Sequence, residues 1–194
     1  MAPSPFVVEW VERLAREWEV CRAPRRALDV AAGRGRHAIA IARAGVDAFA
    51  VDLNLDALRD LADAAAAARG RVHVWCADLT QHPLPVEQFD LVVVTRYLQR
   101  DLFPALRRAV VPGGVVLYET FTTLQRALGT GPTSPDHLLE PGELRARFDG
   151  WSVLAYEETR HPEAVARIAT RRPGIIKNLE FGIKNSRSRI QNPL

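Results

Sequence analysis

The sequence predicts an α/β chain built on a doubly wound, mostly parallel sheet of seven strands. Helices form a layer on each face, and an antiparallel hairpin closes the C-terminal end. Three observations predict it. Short apolar runs recur at residues 27–31, 46–52, 71–78, 89–95 and 115–119 with helical segments between most of them, the alternation that makes βαβ units. The first run breaks at Gly33-Arg34-Gly35 and resumes as a small-residue helix through Ala38, Ile39, Ala40, Ile41 and Ala42, leaving free backbone N–H groups at a helix start. Lastly, Trp151–Tyr156 and Val165–Thr170 are joined by a brief Glu/Arg/His/Pro link, which reads as a hairpin.

In chain order, residues 3–17 carry Phe6, Val7, Trp10, Val11 and Leu14 at helical spacing, with Ser4 as the expected N-cap and Pro5 in the first turn. This amphipathic helix either covers one face of the core, the simpler role, or acts as a lid on a ligand. Run 27–31 is apolar apart from Asp29, as suits a buried central strand. Helix 36–44 stops at Gly45. The second strand, 46–52, ends on Asp52. Asn54 is placed to cap helix 55–68, whose Leu55, Leu58 and Leu61 form one stripe and which Gly70 ends. The third strand, 71–78, ends on a second acid, Asp78. Pro83, Pro85 and Gln88 mark a loop before strand 89–95, a helix spans 98–110, and Pro112-Gly113-Gly114 is expected to turn the chain into strand 115–119. Residues 122–140 form a long Thr-, Gly- and Pro-rich loop of the kind that covers pockets, and Pro141-Gly142-Glu143-Leu144 opens a short helix.

At 194 residues, 47% apolar and 25% charged, the chain is long enough for one domain with a sizeable core. No apolar stretch approaches the ~20 residues of a membrane span. The start, Met1-Ala2-Pro3-Ser4-Pro5, lacks a basic region followed by an apolar one, and the two distant cysteines, Cys21 and Cys76, do not make a secreted disulfide framework. The expected location is the cytoplasm, with no membrane partner. The formal charge of +3 comes from Lys177, Lys184, Arg187 and Arg189 against Glu180, so residues 1–172 are neutral overall and give no argument for nucleic acid. Composition changes at the same place: both lysines of the chain, with Asn178, Asn185 and Asn192, lie beyond Pro173. Residues 1–172 are therefore expected to form the domain, and 173–194 a basic tail outside its core, either dispensable or a docking arm. No Cys/His spacing suits a metal, and neither a G-x-S-x-G elbow nor a P-loop is present.

In an open parallel sheet, ligands lie beyond the carboxyl ends of the strands. Gly33 and Gly35 let a ligand approach the main chain there. Asp52 lies 19 residues after Gly33, the spacing at which an acid meets ribose hydroxyls, and Asp78 is placed to accept from an adenine amino group. The plainer alternatives are a tight turn, a helix-start acid complementing the dipole, and a solvated loop carboxylate. Asp29, inside a strand, needs partners, and it either orients the glycine loop or faces the ligand. Arg36 and His37 read as helix-start surface residues, His73 as a structural strand residue, and His137 as part of the loop over the substrate.

The run from Leu28 to Ala38 (Leu-Asp-Val-Ala-Ala-Gly-Arg-Gly-Arg-His-Ala), followed by Val51-Asp52, Ala77-Asp78-Leu79, Phe89-Asp90 and Pro112-Gly113-Gly114, resembles the class I S-adenosylmethionine-dependent methyltransferases. The resemblance covers residues 26 to about 172 and implies their Rossmann-like α/β/α fold, with a terminal hairpin that an ordinary NAD-binding domain lacks. Within that superfamily, the stretches Gly35–Ala40, Glu119–Thr122 and Phe148–Glu158 are similar to small bacterial tellurite-resistance-like methyltransferases. Pro3–Val8 and Leu138–Leu144 resemble an uncharacterised branch near them. On that resemblance the cofactor is S-adenosylmethionine, held by Asp29, Ala31, Gly33, Gly35, Asp52, Leu53, Asp78, Leu79 and Thr95. The Gly33–Gly35 loop would face the methionine moiety, Asp52 the ribose, Asp78 with Leu79 the adenine, and Thr95 with Arg96 the transferring methyl. Many relatives have Gly-Cys-Gly or Ala-Cys-Gly where this chain has Ala31-Ala32-Gly33, so Ala31 adds a methyl group where the backbone nears the ligand.

A sulfonium cofactor is already activated, so no protein nucleophile is required and no catalytic residue is assigned. Arg96, Tyr97, Glu119 and Phe121, which follow the fourth and fifth strands, are the candidates for contact with the acceptor. Thr95-Arg96-Tyr97-Leu98 stands where base-amine methylating relatives carry an Asn-Pro-Pro-Tyr signature. The expected acceptor is accordingly a small molecule, a thiol or chalcogen compound or another small metabolite. Two alternatives remain. An NAD-dependent oxidoreductase leaves Asp78 and the hairpin unexplained, and a non-catalytic S-adenosylmethionine-binding protein is disfavoured by the retained Gly33, Gly35, Asp52 and Asp78.

Overall fold

β1 (Arg26–Val30) is buried from Ala27 onward, as an apolar run with strands on both sides must be. The computed structural model describes residues 2–19, 23–67 and 71–174, so Cys21, the expected stop at Gly70 and tail residues 175–194 lie outside the described residues. β2 (Asp47–Asp52) and β4 (Phe89–Thr95) flank β1 in parallel, β3 (Val72–Cys76) extends the sheet beyond β2, and β5 (Val110–Phe121) extends it beyond β4. β7 (Val165–Arg171) pairs antiparallel with β5, and β6 (Ser152–Glu158) with β7, giving the order β3-β2-β1-β4-β5-β7-β6. The seven-stranded doubly wound sheet with its antiparallel end is the one expected. Strand order reverses at β1 and β4, and an open sheet binds its ligand beyond the strand ends at such a switch point.

The two faces of the sheet differ in side-chain size. One presents Ala27, Ala48 and Ala50 with Leu91, Val93 and Leu117, and its three alanines let helices lie close. α1 (Pro5–Trp18), α2 (Arg36–Arg43) and α3 (Leu55–Ala67) pack there through Val7, Trp10, Val11, Leu14, Ile41, Leu58 and Leu61. The opposite face presents Leu28, Val30, Val92, Val94 and Tyr118 to α4 (Phe103–Ala109) and α5 (Glu143–Ala146), with Phe103 stacked on Tyr118 at 5.2 Å between ring centroids. α1 thus has the covering role. Asn54 caps α3, its Oδ1 accepting the Ala57 N–H at 3.0 Å. Ser4 does not cap α1, although Pro5 opens that helix. No helix among the described residues is long and apolar enough to cross a membrane.

Three boundaries differ from expectation. β3 ends at Cys76 because the Asp78 carboxylate accepts both the N–H and the hydroxyl of Thr80, turning the chain out of the sheet. Segment 98–110 is α-helical only over Phe103–Ala109, after a 3₁₀ turn at Arg100–Leu102, since Pro104 suits a first turn and not an interior. Pro112-Gly113-Gly114 is a bulge inside β5 and not the turn before it. Val110 pairs with Phe89 and Val115 with Leu91, so the surplus residues oppose Asp90, where a missing proline N–H is tolerated.

The long loop is anchored. It forms 3₁₀ turns at Thr123–Leu128 and Pro135–His137 and runs into the fully buried Leu138 and Leu139. Glu143 clamps it: its carboxylate accepts from Arg100 Nε at 2.8 Å, Arg147 Nη2 at 2.7 Å and the Glu140 N–H at 3.0 Å, while Arg100 also donates to the Leu138 carbonyl at 2.8 Å. Burial raises the Glu143 carboxyl, but these donors outweigh it and hold it down to about 2. An acid depressed on folding stabilises fully above its ordinary value and loses that contribution as pH falls toward the depressed one. Glu143→Gln is therefore expected to cost about 1–2 kcal/mol at neutral pH, discounted because both guanidiniums are part exposed. Melting curves of the two proteins should converge as pH falls from 4.5 toward 2; parallel pH profiles would show that the clamp does not stabilise the fold.

Candidate functional site

Two acids hold the glycine turn. Asp29 on β1 is buried, and its Oδ2 accepts the Ala38 N–H at 3.0 Å, tying the start of α2 to the strand. Its Oδ1 is buried without a partner, and burial, only partly offset by the Ala38 bond and Arg36, pushes the carboxyl up to about 7. Asp52 reaches across from the end of β2. Its Oδ2 accepts the Gly33 N–H at 2.7 Å and its Oδ1 the Asn54 N–H at 2.8 Å, so one carboxylate joins the turn to the entry of α3.

The turn itself is left-handed at Ala31 (φ 53°), Gly33 (φ 54°) and Gly35 (φ 68°). For Ala31 this costs about 1–2 kcal/mol, strain of a kind that binding loops store. A Cβ on Gly33 would meet nothing within 4 Å, whereas on Gly35 it would stand 2.1 Å from Leu61 Cδ1. Gly33 therefore borders open space, and Gly35 makes room for α3. Leu53, next to Asp52, is 68% exposed, and Leu79 is half-buried beyond β3. The Asp78 carboxylate is engaged by Thr80, whose hydroxyl and N–H hold it below the usual carboxylate range. With Thr95 at the end of β4, the structure brings these residues to one edge of the sheet, the carboxyl ends of β1 to β4.

His37 corrects the sequence reading. It is no surface residue but buried in the first turn of α2. Its Nε2 faces the Ser4 N–H at 3.0 Å and must accept, so the ring proton sits on Nδ1 and is donated to Thr95 Oγ1 at 3.1 Å. Burial first, then the nearby Arg36 and Arg96 charges, push His37 down to about 4, and it stays neutral. The Ser4 hydroxyl donates to Glu119 Oε2 at 3.0 Å, and Arg167 Nε donates to the same oxygen at 2.6 Å. Of the acceptor-side candidates, Glu119 thus lies in this polar cluster.

Arg96, Tyr97 and Phe121 face a cavity of about 330 Å³ that Leu98, Pro132 and His137 complete. Arg96 is left-handed at φ 53°, lies over the Phe121 ring at 5.1 Å, and is held by both oxygens of Glu163 at 2.7 and 2.9 Å. The Tyr97 hydroxyl donates to Gln99. His73 is elsewhere, stacked on Phe49 at 4.7 Å. Arg36 Nη1 donates to the Ala2 carbonyl at 3.2 Å. Among the described residues no group of His, Cys, Asp or Glu is arranged to hold a metal ion. Glu163 and Arg167 escaped the sequence reading, and Ser4 was read only as a helix cap. Arg167 was findable only by knowing that β7 lies beside β5, which sets it opposite Glu119.

Residues 27–114 match the family model of a methyltransferase domain. TehB from Haemophilus influenzae superposes with a TM-score of 0.67 at 17% identity, over 82% of this chain and 61% of that one, so the chain spans less than two thirds of TehB. An S-adenosylmethionine-dependent methyltransferase from Mesorhizobium loti gives 0.64 at 19% identity, over 85% and 98% of the two chains. Another from Aquifex aeolicus gives 0.63 at 15% identity, over 87% and 93%. No curated protein matches the sequence. Over residues 27–114 the chain is similar to a methyltransferase domain, its fold is that of S-adenosylmethionine-dependent methyltransferases, and S-adenosylmethionine is the cofactor that this similarity implies.

Proposed function

We propose that this chain transfers a methyl group from S-adenosylmethionine to a small-molecule acceptor in the cytoplasm, the acceptor being a thiol or chalcogen compound or another small metabolite of the kind handled by the tellurite-resistance-like branch. Residues 1–172 form the catalytic domain and 173–194 an appended basic tail. The observation that carries the reading is the cavity of about 330 Å³ directly past Thr95, beside the edge where the glycine turn and Asp52 stand. Its size suits a small ligand and not a nucleic-acid duplex.

The residues present fit the cofactor. Gly33 leaves room beside the turn, Asp29 keeps an unpartnered buried oxygen there, and Leu53 offers an uncovered apolar surface next to Asp52. Asp52 would hold the ribose, Leu53, Asp78 and Leu79 the adenine, and Asp29, Ala31, Gly33, Gly35 and Thr95 the surroundings of the methionine portion. When bound, the cofactor supplies a methyl group already activated on sulfur. What remains for the protein is to orient the acceptor and exclude water. Arg96, pinned by Glu163 and Phe121, and Tyr97, pinned by Gln99, are rigid walls for that purpose.

Calorimetric titration with S-adenosylmethionine, S-adenosylhomocysteine and NAD(H) tests the reading. The first two are expected to bind at micromolar concentrations and NAD(H) not at all. NAD(H) binding alone would overturn the methyltransferase reading. Cofactor binding without turnover across a panel of small thiols, selenols and other metabolites would favour a non-catalytic binding protein.

A further inference from the structure

Residues 2–4 lie against the first turn of α2 and the carboxyl-terminal part of β5 and are fastened at three points. The Ser4 N–H donates to His37 Nε2 at 3.0 Å, the Ser4 hydroxyl to Glu119 Oε2 at 3.0 Å, and the Ala2 carbonyl accepts from Arg36 Nη1 at 3.2 Å. Ser4 holds the N-cap position of α1, yet its side chain makes no capping bond there and is spent on a strand 115 residues away. The two groups it meets are fixed independently of it, His37 by Thr95 and Glu119 by Arg167. They would therefore keep their places, each with a vacant acceptor, if Ser4 left. Pro3 and Pro5 stiffen the segment on both sides, so it moves as a unit.

We propose that Ala2–Ser4 is a strap closing the acceptor side of the site, latched through Ser4 onto His37 and Glu119, and that its release presents these two hydrogen-bond acceptors to an incoming N–H- or O–H-bearing methyl acceptor. What enters rests on the methyltransferase reading; the latch rests on the contacts alone. Such an acceptor replaces the two Ser4 donors one for one, so the exchange leaves no buried polar group unpaired. The latch also requires a neutral ring, because a proton on Nε2 would set two donors against each other. The groups around His37 are Ser4 of the strap, Thr95 of β4, Arg36 on its own helix, Arg96 past β4, and Glu119 of β5 with Arg167 of β7 behind it.

Ser4→Pro tests this directly. Ser4 has φ −61°, proline's own angle, so the substitution keeps that backbone angle, removes both donors and sets a ring carbon where the N–H met His37, which forces the segment off its latch. The readout is diethyl pyrocarbonate modification of His37 in the ligand-free protein, with exposed His82 as internal reference, together with the His37 titration followed by NMR. In the wild type His37 is expected to react at least about tenfold more slowly than His82, and in Ser4→Pro within about threefold of it, its titration midpoint moving from near 4 toward 6.5. Ser4→Ala, which keeps the N–H, should fall between the two and decides the matter if the proline variant does not fold. Equal protection of His37 in all folded variants, or free reaction in the wild type, would overturn the strap. Binding of S-adenosylhomocysteine, measured on the same samples, reports separately: its absence removes the cofactor reading and leaves the His37 result intact.

Discussion

Gly35→Ala is expected to destabilise the protein by about 2–5 kcal/mol, the sum of a left-handed backbone at a residue with a Cβ and an overpacked core. The Cβ would stand 2.1, 2.5 and 2.7 Å from the Cδ1, Cδ2 and Cγ atoms of Leu61. Leu61 has no exposed surface and belongs to the stripe that seats α3, so its branched end cannot rotate away from the clash. For a chain of this length the loss corresponds to a fall of about 5–15 °C in Tm, readable by circular dichroism. Combining Gly35→Ala with Leu61→Ala should recover the steric share and leave the backbone share, so the pair will not add. A fall below about 1 kcal/mol for the single change would mean that α3 shifts freely over the turn, and that Gly35 is not what fixes their distance.

That prediction marks where sequence reading and structure part company. The pattern G-x-G was legible because glycine after a buried strand constrains the backbone whatever surrounds it, but the pattern does not say which glycine faces a ligand and which faces a helix. Open space at Gly33 and Leu61 at Gly35 are tertiary facts. The strands were legible because apolar runs and turn residues are local, but that β7 lies between β5 and β6 is a tertiary fact that the hairpin alone does not give. That Asp52 would stand beside the glycine turn was legible from its spacing. His37 was not, since a polar residue in a first helical turn is usually solvated, and only the distant Ser4 N–H laid against it makes it a buried acceptor. Ser4 misled for the related reason that its hydroxyl has two possible uses, a local cap or a distant carboxylate. At this position the buried Glu119 gains more from the bond than an exposed helix start would.

Asp52→Ala is expected to raise the dissociation constant for S-adenosylhomocysteine about 100-fold while leaving the fold in place. The carboxylate sits half-buried at the end of β2, with one oxygen on the Gly33 N–H and the other on the Asn54 N–H. Each oxygen has a further lone pair, which suits acceptance from two ribose hydroxyls. Two charge-assisted hydrogen bonds at about 1.5 kcal/mol each, at 1.4 kcal/mol per decade, give the two decades. Part of the loss comes from slackening the turn, because the Gly33 N–H is released as well. The 2′-deoxy analogue of S-adenosylhomocysteine separates the parts: it should bind the wild type about tenfold more weakly than the parent compound, and Asp52→Ala equally to the parent. Asp56→Ala, a change at an exposed acid on the first turn of α3, is the control for charge and should leave binding unchanged. If Asp52→Ala binds normally, the carboxylate serves only to join the turn to α3. If it binds weakly but still discriminates against the 2′-deoxy analogue, another group reads the ribose, and Asp52 acts on affinity only by holding Gly33.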